Sequence, residues 1–229
     1  MAEIRSVKKI KNLEGQRVLV RGDFNVPIKK GKVMEDMRLL ASLPTLRYLL
    51  EKKARVIVIT HLGRPEGKVV SSLKLDPVAE RLGELLGEKV KKIDTGNWQW
   101  SGKKWQAIHA EIVGMQPGQI VMFDNVRFSP HEQKDTMPMS KELSGLADIF
   151  VLDGFAVAHR ADASVAGVAK YLPSYAGFLL EEEIKGLTKV LKQAKRPFVA
   201  IVGGAKMETK VPVMKALLPK VDHLLIGGG

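Results

Sequence analysis

Residues 17–27 read RVLVRGDFNVP, an apolar run that passes directly into a polar loop. The first part, Arg17–Val20, is short and apolar, as in a strand that is buried on both faces of a sheet. The loop that follows carries Asp23 and Asn25 and ends at Pro27. The same arrangement, an apolar strand followed by charged or amide side chains, recurs along the chain.

Further apolar runs of strand length are separated by segments with helical spacing. The runs are Val56–Thr60, Ile120–Phe123, Ile149–Leu152, Phe198–Val202 and Leu224–Ile226, with a shorter one near Val90–Ile93. Fully apolar strands that alternate with helices indicate a parallel sheet covered by helices. The sequence therefore predicts an α/β fold.

Two helices are predicted within the first part of the chain. Asp76 and Pro77 are expected as the N-cap and the first residue of a helix that stops at Gly87. A second helix carries leucines at helical spacing, and Pro44 is expected in its first turn or at a kink. These leucines are Leu39, Leu43, Leu46 and Leu50.

A long charged helix over residues 181–195 is predicted to mark a domain boundary, because Arg196-Pro197 and a new strand follow it. Its apolar residues Ile184, Leu187 and Leu191 are expected to face inward. This organisation predicts a first domain over residues 1–180, a connecting helix over 181–195 and the beginning of a second domain over 196–229.

Composition limits the class of protein. The 229 residues contain no cysteine, which excludes disulfides, cysteine-ligated zinc and thiol catalysis and fits a cytoplasmic protein. The N-terminal residues lack the apolar segment of a secretory signal, and no apolar run is long enough to cross a membrane. The formal charge of +12 allows nucleic acid, acidic lipid or a small polyanionic metabolite as a partner.

The loops after the strands indicate the chemistry. In open parallel sheets, ligands bind beyond the carboxyl ends of the strands. Guanidinium groups suit carboxylate and phosphate oxygens there, because two parallel N–H groups meet two oxygens in one plane. The residues concerned are Asp23 and Asn25, His61 and Arg64 in HLGRP, Arg127 in DNVRF, Asp153, His159 and Arg160 in DGFAVAHR, and Lys206 and Lys210 in GGAKMETK. Together they predict a site for a small, highly charged anion.

Each of these motifs alone also has a purely structural interpretation. HLGRP is compatible with a turn that directs Arg64 to solvent, and Asp23 and Asn25 with Asx-turns. Arg127 is compatible with a local salt bridge, and GGAK with a tight turn that matches neither the Walker A spacing nor GxGxxG. The repetition of one kind of chemistry on five loops at the same predicted edge favours a binding site.

The motifs RGDFNVP, HLGRP, DNVRF, AHRADAS, AGFLLEEEI, GGAKMETK and KVDHLLIGGG, in this order and spacing, resemble phosphoglycerate kinase from near Arg17 to Gly229. That family has two Rossmann-like domains joined by a hinge helix, one binding 3-phosphoglycerate and the other Mg-ATP or Mg-ADP. The resemblance implies that this chain holds the acid-binding domain, the hinge helix and the beginning of the nucleotide domain. The closing glycines would begin the nucleotide loop, and we expect the chain to be truncated there.

The resemblance also assigns roles to residues. It implies catalytic roles for Arg38, near the transferring phosphoryl group, and for Lys206, which follows that group between substrates. It places Asp23, Asn25, Arg38, His61, Arg64, Arg127 and Arg160 around 3-phosphoglycerate. It places Lys206, Lys210, Gly203, Gly204, Gly227 and Gly228 toward ATP or ADP, with Mg²⁺ ligands expected beyond Gly229.

The implied reaction is the reversible glycolytic phosphoryl transfer between ATP and the carboxylate of 3-phospho-D-glycerate, giving 1,3-bisphosphoglycerate and ADP. The nucleophile is already ionised at neutral pH, so no general base is needed, and catalysis depends on positioning and charge. By this resemblance the protein is a cytoplasmic monomer. This chain is expected to bind the acid but to be inactive alone.

Some residues depart from the pattern of the family. Leu152, Ala156 and Val157 stand where the family usually has asparagine, glycine and threonine. Asp124 replaces a glutamate, and Asp162 stands where histidine is common. None of these changes removes a positive ligand, so acid binding is expected to be retained, whereas the catalytic rate is open.

Two other functions compete with this one. A non-catalytic phosphometabolite-binding protein of the same fold would keep the anion site, but it would have no need of the lysines in GGAKMETK. A nucleic-acid-binding protein would use the positive charge, but the sequence has no basic helix face or aromatic platform of the kind such proteins use.

Overall fold

The computed structural model describes residues 4–99, 101–134, 137–204, 208 and 210–228. The chain divides into two compact units, Met1–Glu182 and Glu183–Gly229. The finer division, with a first domain ending at residue 180 and a connecting helix ending at residue 195, remains a prediction.

Within the described residues, the first unit contains a six-stranded sheet whose paired strands are parallel, in the order β5-β6-β4-β1-β7-β8. A small antiparallel hairpin, β2 and β3, follows the first strand. The strands are β1 (Arg17–Gly22), β2 (Ile28–Lys29), β3 (Lys32–Val33), β4 (Arg55–Ile59), β5 (Lys91–Ile93), β6 (Ile120–Phe123), β7 (Ile149–Asp153) and β8 (Ser174–Ala176). This sheet confirms the predicted α/β class.

Helices cover both faces of the sheet because neighbouring residues of a strand point to opposite sides. Val18 and Val20 of β1 pack with apolar residues of α1 and α2, whereas Leu19 packs with those of α3 and α4. The helices are α1 (Met37–Glu51), α2 (Asp76–Leu86), α3 (Gly102–Val113), α4 (Met137–Gly145) and α5 (Phe178–Gln193). Both faces of the sheet are therefore buried by helices. A binding site is expected at the ends of the strands instead.

The predicted strands all occur, with ends that differ by one or two residues. The hairpin, β8, α3 and α4 were not predicted. The hairpin strands and β8 have only two or three residues each, too short for a periodic signal. The apolar stripe of α3 rests on tryptophan and isoleucine residues in a polar background.

The helix expected to begin at Pro77 begins one residue earlier, so Asp76 is its first residue and not its N-cap. Leu75 precedes the helix, and its N–H donates to Asp124 Oδ1 at 3.0 Å. Asp76 instead accepts from Lys92 Nζ at 2.7 Å. The predicted cap was wrong because the Asp76 carboxylate pairs with Lys92, while Asp124, just after β6, accepts the N–H of the residue before the helix. The predicted stop at Gly87 is confirmed, with a left-handed φ of 71°.

Pro44 lies in the middle of α1, not in its first turn. The leucine stripe is buried as predicted at Leu39, Leu43 and Leu46, but Leu49 rather than Leu50 completes it. Burial of this stripe against the sheet offsets the hydrogen bond that a proline inside a helix removes.

The second unit contains the parallel strands β9 (Val199–Gly203) and β10 (His223–Gly227) and the helix α6 (Val211–Leu217). Asp222 closes the start of the pair, since it accepts from the Phe198 N–H at 2.6 Å and pairs with Arg196 at 2.9 Å. Many apolar side chains of this unit are exposed, and Ile201 is 77% exposed.

The long helix predicted over 181–195 begins three residues earlier, at Phe178, and ends at Gln193. The prediction that its apolar residues face inward was wrong for Leu187 and Leu191, which are exposed. The second unit, as described, places no apolar layer over them. Of the helices described in either unit, none has the length and apolar character needed to cross a membrane.

Candidate functional site

Four of the five polar loops predicted to share one edge of a sheet do so, whereas the prediction was wrong for GGAKMETK, which follows β9 of a separate two-stranded sheet. In β1, Arg21 pairs with Ile59 of β4, and Gly22 pairs with Asp153 of β7. Because the strands are parallel, the loops that follow them emerge at the same edge. The loops after β1, β4, β6 and β7 carry Asp23 and Asn25, His61 and Arg64, Arg127, and Arg160, and we refer to this as the basic edge.

The side chains of Asp23 and Asn25 contact other loops, whereas the structural interpretation expected them to form Asx-turns. Asp23 Oδ2 pairs with Arg38 Nη1, which brings the first residues of α1 to the basic edge. Asn25 Oδ1 accepts the Gly63 N–H at 2.9 Å, so the loop after β1 is tied to the loop after β4. The second Asp23 oxygen is buried without a hydrogen-bond partner within the described structure.

HLGRP forms the turn that the structural interpretation expected, and the same turn organises the basic edge. Gly63 has φ 61°, and a Cβ there would lie 2.8 Å from the Leu73 side chain. Its carbonyl accepts from Arg127 Nη1 at 2.8 Å. Arg64, the next residue, is exposed and donates no hydrogen bond to the residues described. The turn thus holds one arginine and leaves another available.

Asn125 connects the same turn to the end of β6. Its Oδ1 accepts the N–H groups of Leu62 and Arg127 at 3.3 and 3.1 Å. Its Nδ2 donates to the Leu62 carbonyl at 2.7 Å. Asp124, which replaces the usual glutamate of the family, is fully buried and binds Lys92 at 3.2 Å. The aspartate at this position therefore stabilises the loop after β6.

His61 is a buried, uncharged member of the basic edge. Its Nδ1 lies 3.1 Å from Arg21 Nη2 and 3.8 Å from Asp23 Oδ1. Burial, and then the charges of Arg21 and Arg127, lower its pKa to about 2, with smaller effects from Arg160 and Arg38. The contact with Asp23 is therefore not an ion pair at neutral pH.

The arginines of the basic edge lie close enough to repel one another. Burial lowers the pKa of Arg127, and the charges of Arg160 and Arg64 lower it further, while Asp162 and Glu132 act in the opposite direction. Buried Nε atoms of Arg127 and Arg160 have no hydrogen-bond partner in the described structure. Buried donors without partners are costly, and an anion at this edge would satisfy them.

Three buried residues behind the basic edge were missed by the sequence analysis. Arg21 Nε donates to Ser164 Oγ at 2.9 Å, and Ser164 Oγ donates to Glu132 Oε1 at 2.5 Å. Arg21 and Glu132 are fully buried. A charged residue inside the apolar run RVLVRG was a signal for Arg21, whereas Glu132 and Ser164 stand in polar segments with no such contrast.

Asp153 ends β7 at the same edge and points at the beginning of α5. Its Oδ1 accepts from the Leu179 N–H at 3.1 Å, and its Oδ2 is buried without a partner in the described structure. Burial raises its pKa to about 6, against the lowering effects of hydrogen bonds from Thr45, Ser42 and the start of α5. A Cβ on Gly177 would lie 2.1 Å from Asp153 Oδ1, so this approach requires glycine.

The other departures from the family pattern lie around this strand. Val157 is buried, Leu152 is half-buried, and Ala156 and His159 are exposed. Asp162 is buried beside the arginines, with Oδ2 unpartnered in the described structure. The acidic group at this position offsets part of the positive charge.

Four glycines assigned to the nucleotide lie at the carboxyl ends of β9 and β10. Gly203 pairs with Gly227, and a Cβ on Gly203 would lie 2.7 Å from the Gly227 carbonyl oxygen. Gly204 and Gly228 have positive φ, 133° and 69°. Lys210 Nζ lies 3.9 Å from where a Cβ on Gly204 would be. Lys206 lies outside the described residues. Nowhere in the described parts of the chain do three acidic or histidine side chains form a group able to hold a metal ion.

Comparisons with known proteins agree with the fold and the motifs. A family model for phosphoglycerate kinase matches residues 7–229. The structure of phosphoglycerate kinase from Coxiella burnetii matches with a TM-score of 0.84 and 41% identity, over 99% of this chain and 55% of that one. Phosphoglycerate kinase from Pyrococcus horikoshii OT3 matches with a TM-score of 0.84 and 32% identity, over 98% of this chain and 55% of that one. The chain thus spans little more than half the length of either relative. It belongs to the phosphoglycerate kinase family.

Proposed function

We propose that this chain is the acid-binding part of a phosphoglycerate kinase, which transfers a phosphoryl group reversibly between ATP and the carboxylate of 3-phospho-D-glycerate. The observation that supports this most strongly is the basic edge. Its arginines crowd together and keep buried N–H groups free of protein acceptors among the residues described. A ligand with both a phosphate and a carboxylate would offer those groups oxygens at two separate points.

The roles proposed for the side chains follow from their charge and reach. Arg64, Arg127 and Arg160 would bind the anionic groups of the acid. Arg38, whose side chain is 49% exposed, would reach the transferring phosphoryl group from α1. Since the attacking carboxylate needs no base, these residues would act by orienting it and by offsetting the charge that develops on the transferred group.

The glycine-rich ends of β9 and β10 fit a nucleotide phosphate, because residues without Cβ allow close approach of the backbone. Lys210, and Lys206 by its place in the family motif, would offer positive charge there. The described residues do not fit Mg²⁺ in the same way, since they offer it no group of acidic side chains. We propose that Mg²⁺ is held by the nucleotide and by residues outside this chain. In the whole enzyme we further expect a cytoplasmic monomer.

Titration of the chain with 3-phosphoglycerate by calorimetry at low salt tests the acid-binding role. We expect saturable binding, weakened in Arg64→Ala by about 1.5–3 kcal/mol, because hydrogen bonds to a charged group would be lost. Arg47→Ala is the matched control, since Arg47 is also exposed but lies along α1, where it donates to the Leu85 carbonyl. Absence of heat from folded protein at millimolar acid would refute the role, and equal effects of the two variants would refute the assignment of Arg64.

A coupled kinase assay separates this proposal from a non-catalytic phosphometabolite-binding protein of the same fold. We expect no turnover by the chain alone. Turnover is expected after mixing with the separately produced remainder of a homologous phosphoglycerate kinase, and Arg38→Ala or Lys206→Ala should abolish it. Turnover by the chain alone would contradict the proposal that residues outside this chain help to hold Mg²⁺. A mixture that binds both substrates without turnover would favour the binding protein.

A further inference from the structure

Arg21 is held from three directions although it lies within a buried strand. Its Nε donates to Ser164 Oγ at 2.9 Å, and its Nη1 donates to the Gly22 carbonyl. Its Nη2 lies 3.1 Å from His61 Nδ1. The guanidinium is planar and rigid, so fixing two of its nitrogens also fixes the direction of the third.

Ser164 and Glu132 complete the support of Arg21. The Ser164 hydroxyl accepts from Arg21, so its own proton is directed to Glu132 Oε1, 2.5 Å away. The Ser164 N–H donates to Glu132 Oε2 at 2.9 Å. Both oxygens of Glu132 therefore accept, as in a carboxylate. Burial raises the pKa of Glu132, while Arg21 and the two donors of Ser164 oppose that rise.

The contact with Arg21 decides which nitrogen of His61 carries the proton. An arginine N–H can only donate, so Nδ1 must accept, and a neutral imidazole then carries its proton on Nε2. The charged groups that face the ring are Arg21 and Asp23 from β1 and its loop, Arg38 from α1, Arg127 after β6 and Arg160 after β7. The cations among them disfavour a second proton.

We propose that Glu132, Ser164 and Arg21 are positioning residues that hold His61 as the Nε2–H tautomer, an uncharged hydrogen-bond donor at the basic edge. Such a donor would give the ligand a directional hydrogen bond, whereas the surrounding arginines supply positive charge. The identification of the recipient as 3-phosphoglycerate rests on the proposed function, whereas the tautomer does not. If the network served stability alone, its loss would lower stability without changing the state of the His61 ring.

Nitrogen-15 NMR of the imidazole groups in the full chain tests the tautomer without any ligand. We expect His61 to show a protonated Nε2 and an unprotonated Nδ1 at every pH from about 5.5 to 8. His159 and His223 are exposed and serve as internal references. A His61 ring protonated on Nδ1, or one that gains a second proton in this range, would overturn the proposal.

Variants of Ser164 test the positioning chain. We expect Ser164→Ala to mix the two His61 tautomers and to weaken binding of 3-phosphoglycerate by about 5- to 30-fold. Ser164→Thr should restore both, because it keeps the hydroxyl. Ser42→Ala is the matched control, since Ser42 is equally buried but donates to the Asp153 carbonyl. Unchanged His61 signals in folded Ser164→Ala would overturn the proposal.

The two proposals fail in different ways. If the wild-type chain shows the expected tautomer but does not bind 3-phosphoglycerate, the proposed function fails and the positioning chain stands. If Ser164→Ala does not fold, the wild-type spectrum still decides the tautomer, and Arg21→Lys tests the positioning. Lysine keeps a charged donor group but lacks the planar fork that fixes its direction, so His61 should again populate both tautomers, and retention of a single one would contradict the proposal.

Discussion

Two aspartates at opposite ends of β7 differ in the sign of their pKa shifts, although a few residues separate them. Asp148 precedes the strand, and hydrogen bonds from Arg17 hold its pKa below the usual value. Asp153 ends the strand, and burial raises its pKa from 3.8 to about 6. The difference follows from the surroundings, because one carboxylate has a cationic partner and the other has a buried oxygen without one.

We predict that the free energy of unfolding of Asp153→Asn increases relative to that of the wild type as pH rises. A raised pKa means that the folded protein favours the protonated form, so the contribution of Asp153 is present at low pH and is lost as pH rises through about 6. The shift corresponds to about 3 kcal/mol between acidic and neutral pH. Denaturant unfolding of both proteins from about pH 4.5 to 8 measures the difference in the free energy of unfolding.

Asp148→Asn is the control of opposite sign. Because the pKa of Asp148 is lowered, its contribution is present above its unfolded value and is lost as pH falls. Comparing each variant with the wild type removes the effect of His61, which also destabilises the fold on acidification. A constant difference between Asp153→Asn and the wild type across this range would refute the assignment.

At the scale of elements, the turn after β4 joins three loops through the backbone of Gly63. We predict that Gly63→Ala lowers both stability and affinity for 3-phosphoglycerate. A left-handed alanine costs about 1–2 kcal/mol, and the new Cβ would displace the Leu73 side chain. The contacts of Gly63 with Asn25 and Arg127 would then shift. Calorimetry and thermal unfolding of the variant measure the two effects.

Gly87→Ala separates strain from function. Gly87 has φ 71° at the end of α2, and no atom lies within 4 Å of where its Cβ would be. We expect a similar loss of stability without a loss of affinity. If both variants lower stability alone, the turn does not position the basic edge.

The sequence predicted elements that are long or strictly apolar, and for four of five loops it predicted which ones share an edge. Parallel strands make that inference possible, because polar residues after each strand must emerge together. It could not predict that Asp124 would accept from the Leu75 N–H just before α2, since the partners are far apart in the chain. The support of His61 by Glu132 and Ser164 was hidden for the same reason, because only folding brings residues 21, 132 and 164 together.

At the scale of the whole chain, the two units differ in how well their strands are covered. Val56, Ile57 and Val58 of β4 are fully buried, whereas Val199, Ile201, Leu225 and Ile226 of β9 and β10 are exposed. Strands with uncovered faces open more readily, because little apolar surface is lost to water when they separate. The second unit is therefore expected to be the less stable one.

Hydrogen exchange measured by mass spectrometry checks this prediction. Amides of residues 198–202 and 224–226 should exchange much faster than those of residues 56–60. Repeating the measurement over a range of protein concentrations tests whether the exposed strands pair between chains. Equal protection of both sets at every concentration would show that the second unit is as stable as the first.

The depressed pKa of His61 has a consequence for binding under mildly acidic conditions. His61 is the one side chain assigned to the acid whose ordinary pKa lies near neutrality, and its pKa of about 2 removes it from the physiological range. His61 would then take up no proton when the chain binds its ligand. The phosphate of the ligand, whose second ionisation lies near pH 6, would still exchange protons in this range. Calorimetry in buffers of different ionisation enthalpy should find no proton uptake at about pH 8. The hydrogen bond that His61 offers to the ligand would thereby be independent of pH in the physiological range.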